Sequence, residues 1–245
     1  MSVAAMRQWA SVLMCLPLAG CNQQCNSTTS EGVDLSIKGK VLVVIRKNTG
    51  AVVALVRDKD AFWGTKYVLG KTQHFKVDDS PLKPEGNSAE LYGRTEPREP
   101  PAVHTVHYAD EKTGLIKSQT VASIGDVSVG FTAGPEGVTV SWKLPPMEAD
   151  LKVEVIVRES GEMPAPKKDE APPLPREIRP VNPATTTRLV ISPTELAAWK
   201  TDRIEATVTL TRSVPQKLGF AEGAIEVTTS DSQYHQLPRR VPAGT

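Results

Sequence analysis

The three cysteines, Cys15, Cys21 and Cys25, stand close together near the start of the chain. Clustered thiols can hold zinc, cycle through a disulfide or act as nucleophiles when ionised. Spacing argues against the first two, because no cysteine pair here suits zinc or redox work. The other candidates for metal or acid–base chemistry are the four histidines, His74, His104, His107 and His235. His104 and His107 are three positions apart, so on a strand of period two they face opposite sides and do not converge on one metal. No glycine-rich nucleotide fingerprint, G-x-S-x-G elbow or H-E-x-x-H motif occurs. The expectation is therefore no catalytic residues, no metal and no cofactor held by side chains. The densest aromatic stretch, "FWGTKYVLGKTQHF", places Trp63, Tyr67 and Phe75 where they either fill a core or form a binding surface.

The elements around the cysteines give them a different meaning. In "MSVAAMRQWASVLMCLPLAG" one basic residue, Arg7, precedes an apolar run from Trp9 to Leu18, and small residues follow it. This is the order of a signal peptide, and the run is too short for a stable membrane span. The segment Leu18-Ala19-Gly20-Cys21 resembles the lipobox of bacterial lipoproteins. That resemblance covers these residues alone. It implies cleavage between Gly20 and Cys21, a diacylglycerol thioether on the Cys21 sulfur and an N-acyl chain on the new amino terminus. One acyl chain binds a bilayer marginally, whereas two or three together anchor firmly. Asn22 stands where an aspartate would mark inner-membrane retention, so the resemblance implies an outer-membrane anchor with the folded part periplasmic or surface-exposed. Cys15 then leaves with the leader, Cys21 carries lipid and Cys25 sits in a tether.

Beyond residues 1–20, the polar stretch 21–32 reads as a flexible lipidated tether of roughly 35 Å when extended. The body is rich in valine and threonine, with 20 prolines and 17 glycines in the whole chain, a composition of short strands joined by irregular connections. The expected fold is all-β, in two small β-rich domains. The first spans 33–122 and starts with runs Val41–Ile45 and Ala51–Val56, joined through Asn48 and Gly50 as a hairpin. Neither run alternates cleanly, which places the hairpin centrally or under cover on both faces. Residues 78–101 form a proline-rich excursion.

The second domain, 123–235, is expected to be an antiparallel β-sandwich. Val138, Val140, Trp142 and Leu144 alternate with polar residues, as do Leu151, Val153, Val155 and Val157, and again Ile204, Ala206, Val208 and Leu210. A tryptophan on an early strand loosely resembles fibronectin type III and immunoglobulin-like domains, without their bridging cysteines. Residues 159–187 form a proline-rich loop. "SPTELAAWK" carries a capping box, with Ser192 as cap, Pro193 first and Glu195 third, and predicts a short helix tucking Leu196 and Trp199 over the sandwich. Residues 236–245 are a tail.

With 29 basic and 28 acidic residues the chain has no field to draw nucleic acid. Three readings of function compete. The first is a non-catalytic structural or assembly adaptor of a cell-envelope complex, bound to the bilayer through Cys21, touching envelope proteins and compatible with homo-oligomerisation. The second is a glycan, wall-polymer or ligand-binding lipoprotein using Trp63, Tyr67 and Phe75. The third is a periplasmic hydrolase.

Overall fold

The computed structural model describes residues 27–60, 65–84, 89–95, 102–161 and 174–237. The leader, Gly20, Cys21, Trp63 and parts of both proline-rich segments and of the tail lie outside them.

The chain is all-β and sandwich-like, with two short helices among the described residues. Strand β1 (Ser27–Thr29) precedes helix α1 (Leu35–Lys38), and β2 (Gly39–Arg46) and β3 (Ala51–Asp58) form the expected hairpin. Gly50 turns it at φ 62°, and a Cβ there would meet the Thr95 carbonyl oxygen at 2.6 Å. Then come β4 (Lys66–Val68), β5 (Gln73–Val77), β6 (Ser80–Pro81), β7 (Lys83–Pro84), β8 (Glu90–Arg94), β9 (Val103–Asp110) and β10 (Leu115–Ala122). The second half contributes β11 (Ser128–Gly134), β12 (Gly137–Lys143), β13 (Leu151–Ser160), β14 (Glu177–Ile178) and β15 (Arg188–Ile191). Helix α2 (Pro193–Ala197) and the long strands β16 (Arg203–Pro215) and β17 (Glu222–Gln236) complete it.

The largest sheet runs β1-β4-β3-β2-β17-β16-β13-β14, with β8 on β3 and β7 on β8. The order β10-β9-β5-β6 makes a second sheet and β11-β12-β15 a third. Val41, Val43, Ile45, Ile204, Ala206, Val208, Leu210, Ile225 and Val227 line one face of the large sheet and are fully buried. One contiguous core joins them to Phe75 and Tyr108 of the second sheet and to Val140 and Trp142 of the third. Burying such side chains is the main favourable term in folding.

Three expectations change. Residues 27–32, expected in the tether, belong to the fold, because β1 pairs in parallel with β4 and the Ser30 hydroxyl donates to the Val68 carbonyl at 3.2 Å. The excursion at 78–101 contains β6, β7 and β8, and β8 adds to β3. The halves 33–122 and 123–235 share a sheet: β2 lies parallel to β17, with Val41 opposite Gly223 and Ile45 opposite Val227. The contact is close, since a Cβ on Gly223 would sit 1.9 Å from the Val41 carbonyl oxygen. This parallel pair departs from a purely antiparallel sandwich. The sequence of β2 does not alternate cleanly because both faces are covered: Val41, Val43 and Ile45 are buried on one and Leu42 and Val44 half-buried on the other.

Candidate protein-interaction edge

Of the aromatic trio proposed as a binding surface, two members are core residues. Phe75 is 1% exposed, with its ring centroid 4.9 Å from that of Tyr108 and 5.9 Å from that of Phe220. Tyr67 is 4% exposed, and its hydroxyl donates to Asp58 Oδ2 at 2.8 Å. They are not a surface. The reason is tertiary: Phe220, from the β16–β17 connection, closes over Phe75 and Tyr108, and no local pattern announces that partner.

The histidines face opposite sides of β9, as their spacing requires. His104 is buried, with Nδ1 2.6 Å from Asp78 Oδ2, while Asp78 Oδ1 accepts the Thr105 amide at 2.8 Å. Asp78 and Asp79 hold φ of 47° and 64° in the β5–β6 turn, and the two bonds of Asp78 fasten that turn to β9. His107 lies on the outer face with Nδ1 2.7 Å from the Ser118 hydroxyl.

Other buried charges serve the framework. Glu159 accepts the amides of Arg176 and Lys200. Glu205 accepts Arg158 Nε at 2.8 Å and the Tyr234 hydroxyl at 3.1 Å. Arg212 contacts Glu148 at 2.6 Å and Asp150 at 2.8 Å, and its Nη1 donates to the Ser123 carbonyl at 2.9 Å. Burial alone would lower its pKa, but hydrogen bonds and charge from the two carboxylates hold it above the ordinary value.

A shallow depression of about 340 Å³ lies between Arg176, Glu177, Ile178, Glu195 and Trp199. Its Glu195 carboxylate is committed to capping α2. The Ser192 amide, then the Ser192 hydroxyl, hold it below the usual carboxylate range. That group is placed to fix a helix end, not to exchange protons with a substrate.

Strand β10 offers a different chemistry, that of the backbone itself. The β9–β10 turn forms because Asp110 Oδ1 accepts the Lys112 amide at 3.1 Å and Gly114 takes φ 69°. Pairing with β9 is continuous from Leu115–Asp110 to Ala122–Val103, without a bulge. The Ser123 amide donates to the Ala102 carbonyl at 2.9 Å, which fixes the alternation. Leu115, Lys117, Gln119 and Val121 direct their N–H and C=O groups to β9, and Ile116, Ser118, Thr120 and Ala122 direct theirs outward. Arg212 Nη1 reaches the outward Ala122 carbonyl at 3.2 Å, as this parity requires.

No strand of the described residues pairs with that outer edge. The side chains of the outward set are all exposed, and Ile116 is 75% exposed. The inner face is fixed. Gln119 Nε2 donates to the Pro215 carbonyl at 2.9 Å, and the Lys217 amide donates to Gln119 Oε1 at 2.5 Å. Proteins usually protect an edge with charged side chains, proline, a bulge or a very short strand, and of these β10 has one charge, Lys117, and none of the others. Among the other sheet ends, β1 has three residues, β6 ends in Pro81 and the two-residue β14 is followed closely by Pro180, while the seven-residue β11 has its outward Val129 amide taken by Asp231 Oδ2 at 2.9 Å. The sequence reading missed β10, whose "LIKSQTVA" does not alternate cleanly between apolar and polar residues. The available signal was the turn "DEKTG" following a strand of matching length.

No protein-family model matches the chain, and no curated protein matches it.

Proposed function

We propose that the chain is a non-catalytic adaptor of a cell-envelope complex, held to the outer membrane by lipid on Cys21 and working through strand addition at β10. The open, exposed and rigidly backed edge of β10 carries this reading. Strand addition draws affinity from main-chain hydrogen bonds and suits an edge whose inner face is already fixed. The balanced charge fits protein contacts better than attraction to a polyanion. Lipid on Cys21 would leave roughly 20 Å of fully extended chain before Ser27, so the folded body would lie close to the bilayer. The glycan-binding alternative loses two of its three named side chains to the core.

A photo-crosslinking residue at position 116, introduced into the full chain in its native host, should yield a protein adduct in isolated membranes. The same probe at Ser141, exposed on β12 in another sheet, should not. Equal yields at the two positions would count against the edge. Anchoring is tested by mass spectrometry of the native protein, which should begin at a triacylated Cys21. An unmodified Met1 or Met6 terminus would remove the membrane from the proposal.

A further inference from the structure

We infer that the partner of β10 is β10 of a second copy, joined antiparallel about a twofold axis at Gln119. This rests on the strand-addition reading above and names its occupant. In that register Ile116 faces Ala122 of the other copy and Ser118 faces Thr120. These residues are the ones whose N–H and C=O groups point outward, so each pair exchanges two hydrogen bonds. Ala122 keeps a lone pair on its carbonyl for this purpose beside the Arg212 contact.

Side chains select the same register. On the outer face Ala122 pairs with Val103 of β9, which is 46% exposed, and Ile116 pairs with Ala109. The twofold axis therefore sets Ala109 and Ile116 of one copy in a row with Ala122 and Val103 of the other. Ile116 of each copy, a large exposed apolar side chain, then packs on the small exposed Ala122 of the other, with Val103 on the far side of Ala122. On the inner face Lys117, the single charge of β10, falls opposite Val121 and not opposite itself. Shifting the axis to Lys117 would oppose the two ammonium groups, and shifting it to Ser118 would place Ile116 against Thr120. An isologous contact of this kind closes at the dimer.

The test uses the full chain. Gln119 stands at the axis in a non-hydrogen-bonded position, where facing Cβ atoms lie close enough for a disulfide. Gln119→Cys should give a covalent dimer under mild oxidation, above the background set by Cys25 in the unmodified chain. Ser141→Cys should remain at that background. Adding Thr120→Pro to Gln119→Cys should cut the dimer at least tenfold while leaving the melting temperature nearly unchanged. The Thr120 amide points outward and takes no part in pairing with β9, so proline removes only an inter-copy donor.

A natively melting Gln119→Cys chain that stays at background overturns the second copy as partner. If the probe at position 116 still captures a different protein, strand addition survives with another occupant. If it captures nothing, both fall. Should Gln119→Cys fail to fold, light scattering of the unmodified chain decides, with detergent mass subtracted. A dimer split by Thr120→Pro supports the inference, and a monomer at all accessible concentrations overturns it.

Discussion

The Tyr67 hydroxyl shows what the aromatic stretch does at the scale of one residue. It donates to Asp58 Oδ2 at 2.8 Å from a largely buried position on β4. Burial first, then the hydrogen bond and charge of Asp58 and the charge of Asp60, push the phenol up to about 12. The folded value lies above the unfolded value of about 10, so the neutral phenol's contribution is fully present below that pH. It is lost as pH rises through about 12. Tyr67→Phe should therefore flatten the loss of stability between these two values in urea melts followed at increasing pH. It should cost about 1 kcal/mol at neutral pH for the lost hydrogen bond. An alkaline slope equal to that of the parent chain would show that this phenol is not a titrating contributor. The sequence made these aromatics conspicuous but left their role open between core and surface. For Phe75 what decides it is Phe220, more than a hundred positions later in the chain, with its ring centroid 5.9 Å from that of Phe75.

Elements written in a local code were legible. Val138, Val140 and Trp142 alternate in sequence and are buried on β12, and the turn at Gly50 closes the β2–β3 hairpin. Helix α2 is the clearest case. The Ser192 hydroxyl accepts the Glu195 amide at 3.2 Å, and the Glu195 carboxylate accepts the Ser192 amide at 2.9 Å. The cap fixes the chain entering a helix too short to stand by propensity, and Trp199 beyond it is 5% exposed. Ser192→Ala should cost about 1 kcal/mol in a denaturant melt at neutral pH. Because the Ser192 bonds lower the Glu195 pKa, the carboxylate's share of the cap is present above its unfolded value of about 4.3. It is lost as pH falls through the lower folded value, so the difference between parent and variant should narrow in acid. The amide bond to Glu195 survives in the alanine variant, so a cost unchanged down to the lowest pH at which both fold would show that the Ser192 hydroxyl, which donates to Glu195 Oε2 at 2.9 Å, adds nothing to the hold on that carboxylate. Strand β10 was illegible for a physical reason. Its inner row carries Lys117, which is exposed, and Gln119, which bonds to the β16–β17 connection, while its open row carries Ile116, so the alternation that a half-buried strand usually shows is broken on both faces.

At the scale of the molecule, the parallel contact of β2 with β17 decides how the chain folds. Composition and a run of short strands favoured a division between residues 122 and 123, but strand pairing between distant segments leaves no local trace. The structure puts the sheet across that division, and side chains bind it further. Lys47 meets Asp126 at 2.8 Å, Asn48 Oδ1 accepts the Ser230 amide at 2.9 Å, and Arg212 holds the carbonyls of Ala122 and Ser123. A fragment of residues 27–122 would expose the buried row Val41, Val43 and Ile45 together with the unpaired edge of β2. A fragment of residues 123–237 would expose Ile225 and Val227 and the matching edge of β17. Each would lose apolar burial worth roughly 1.5–3 kcal/mol per large side chain, more than a marginally stable half can spare. Neither fragment should unfold cooperatively by circular dichroism when expressed alone, and co-expression should restore one transition. A sharp melt from residues 27–122 in isolation would show instead that β2 and its neighbours form an independent unit, with the parallel pair a contact added afterwards.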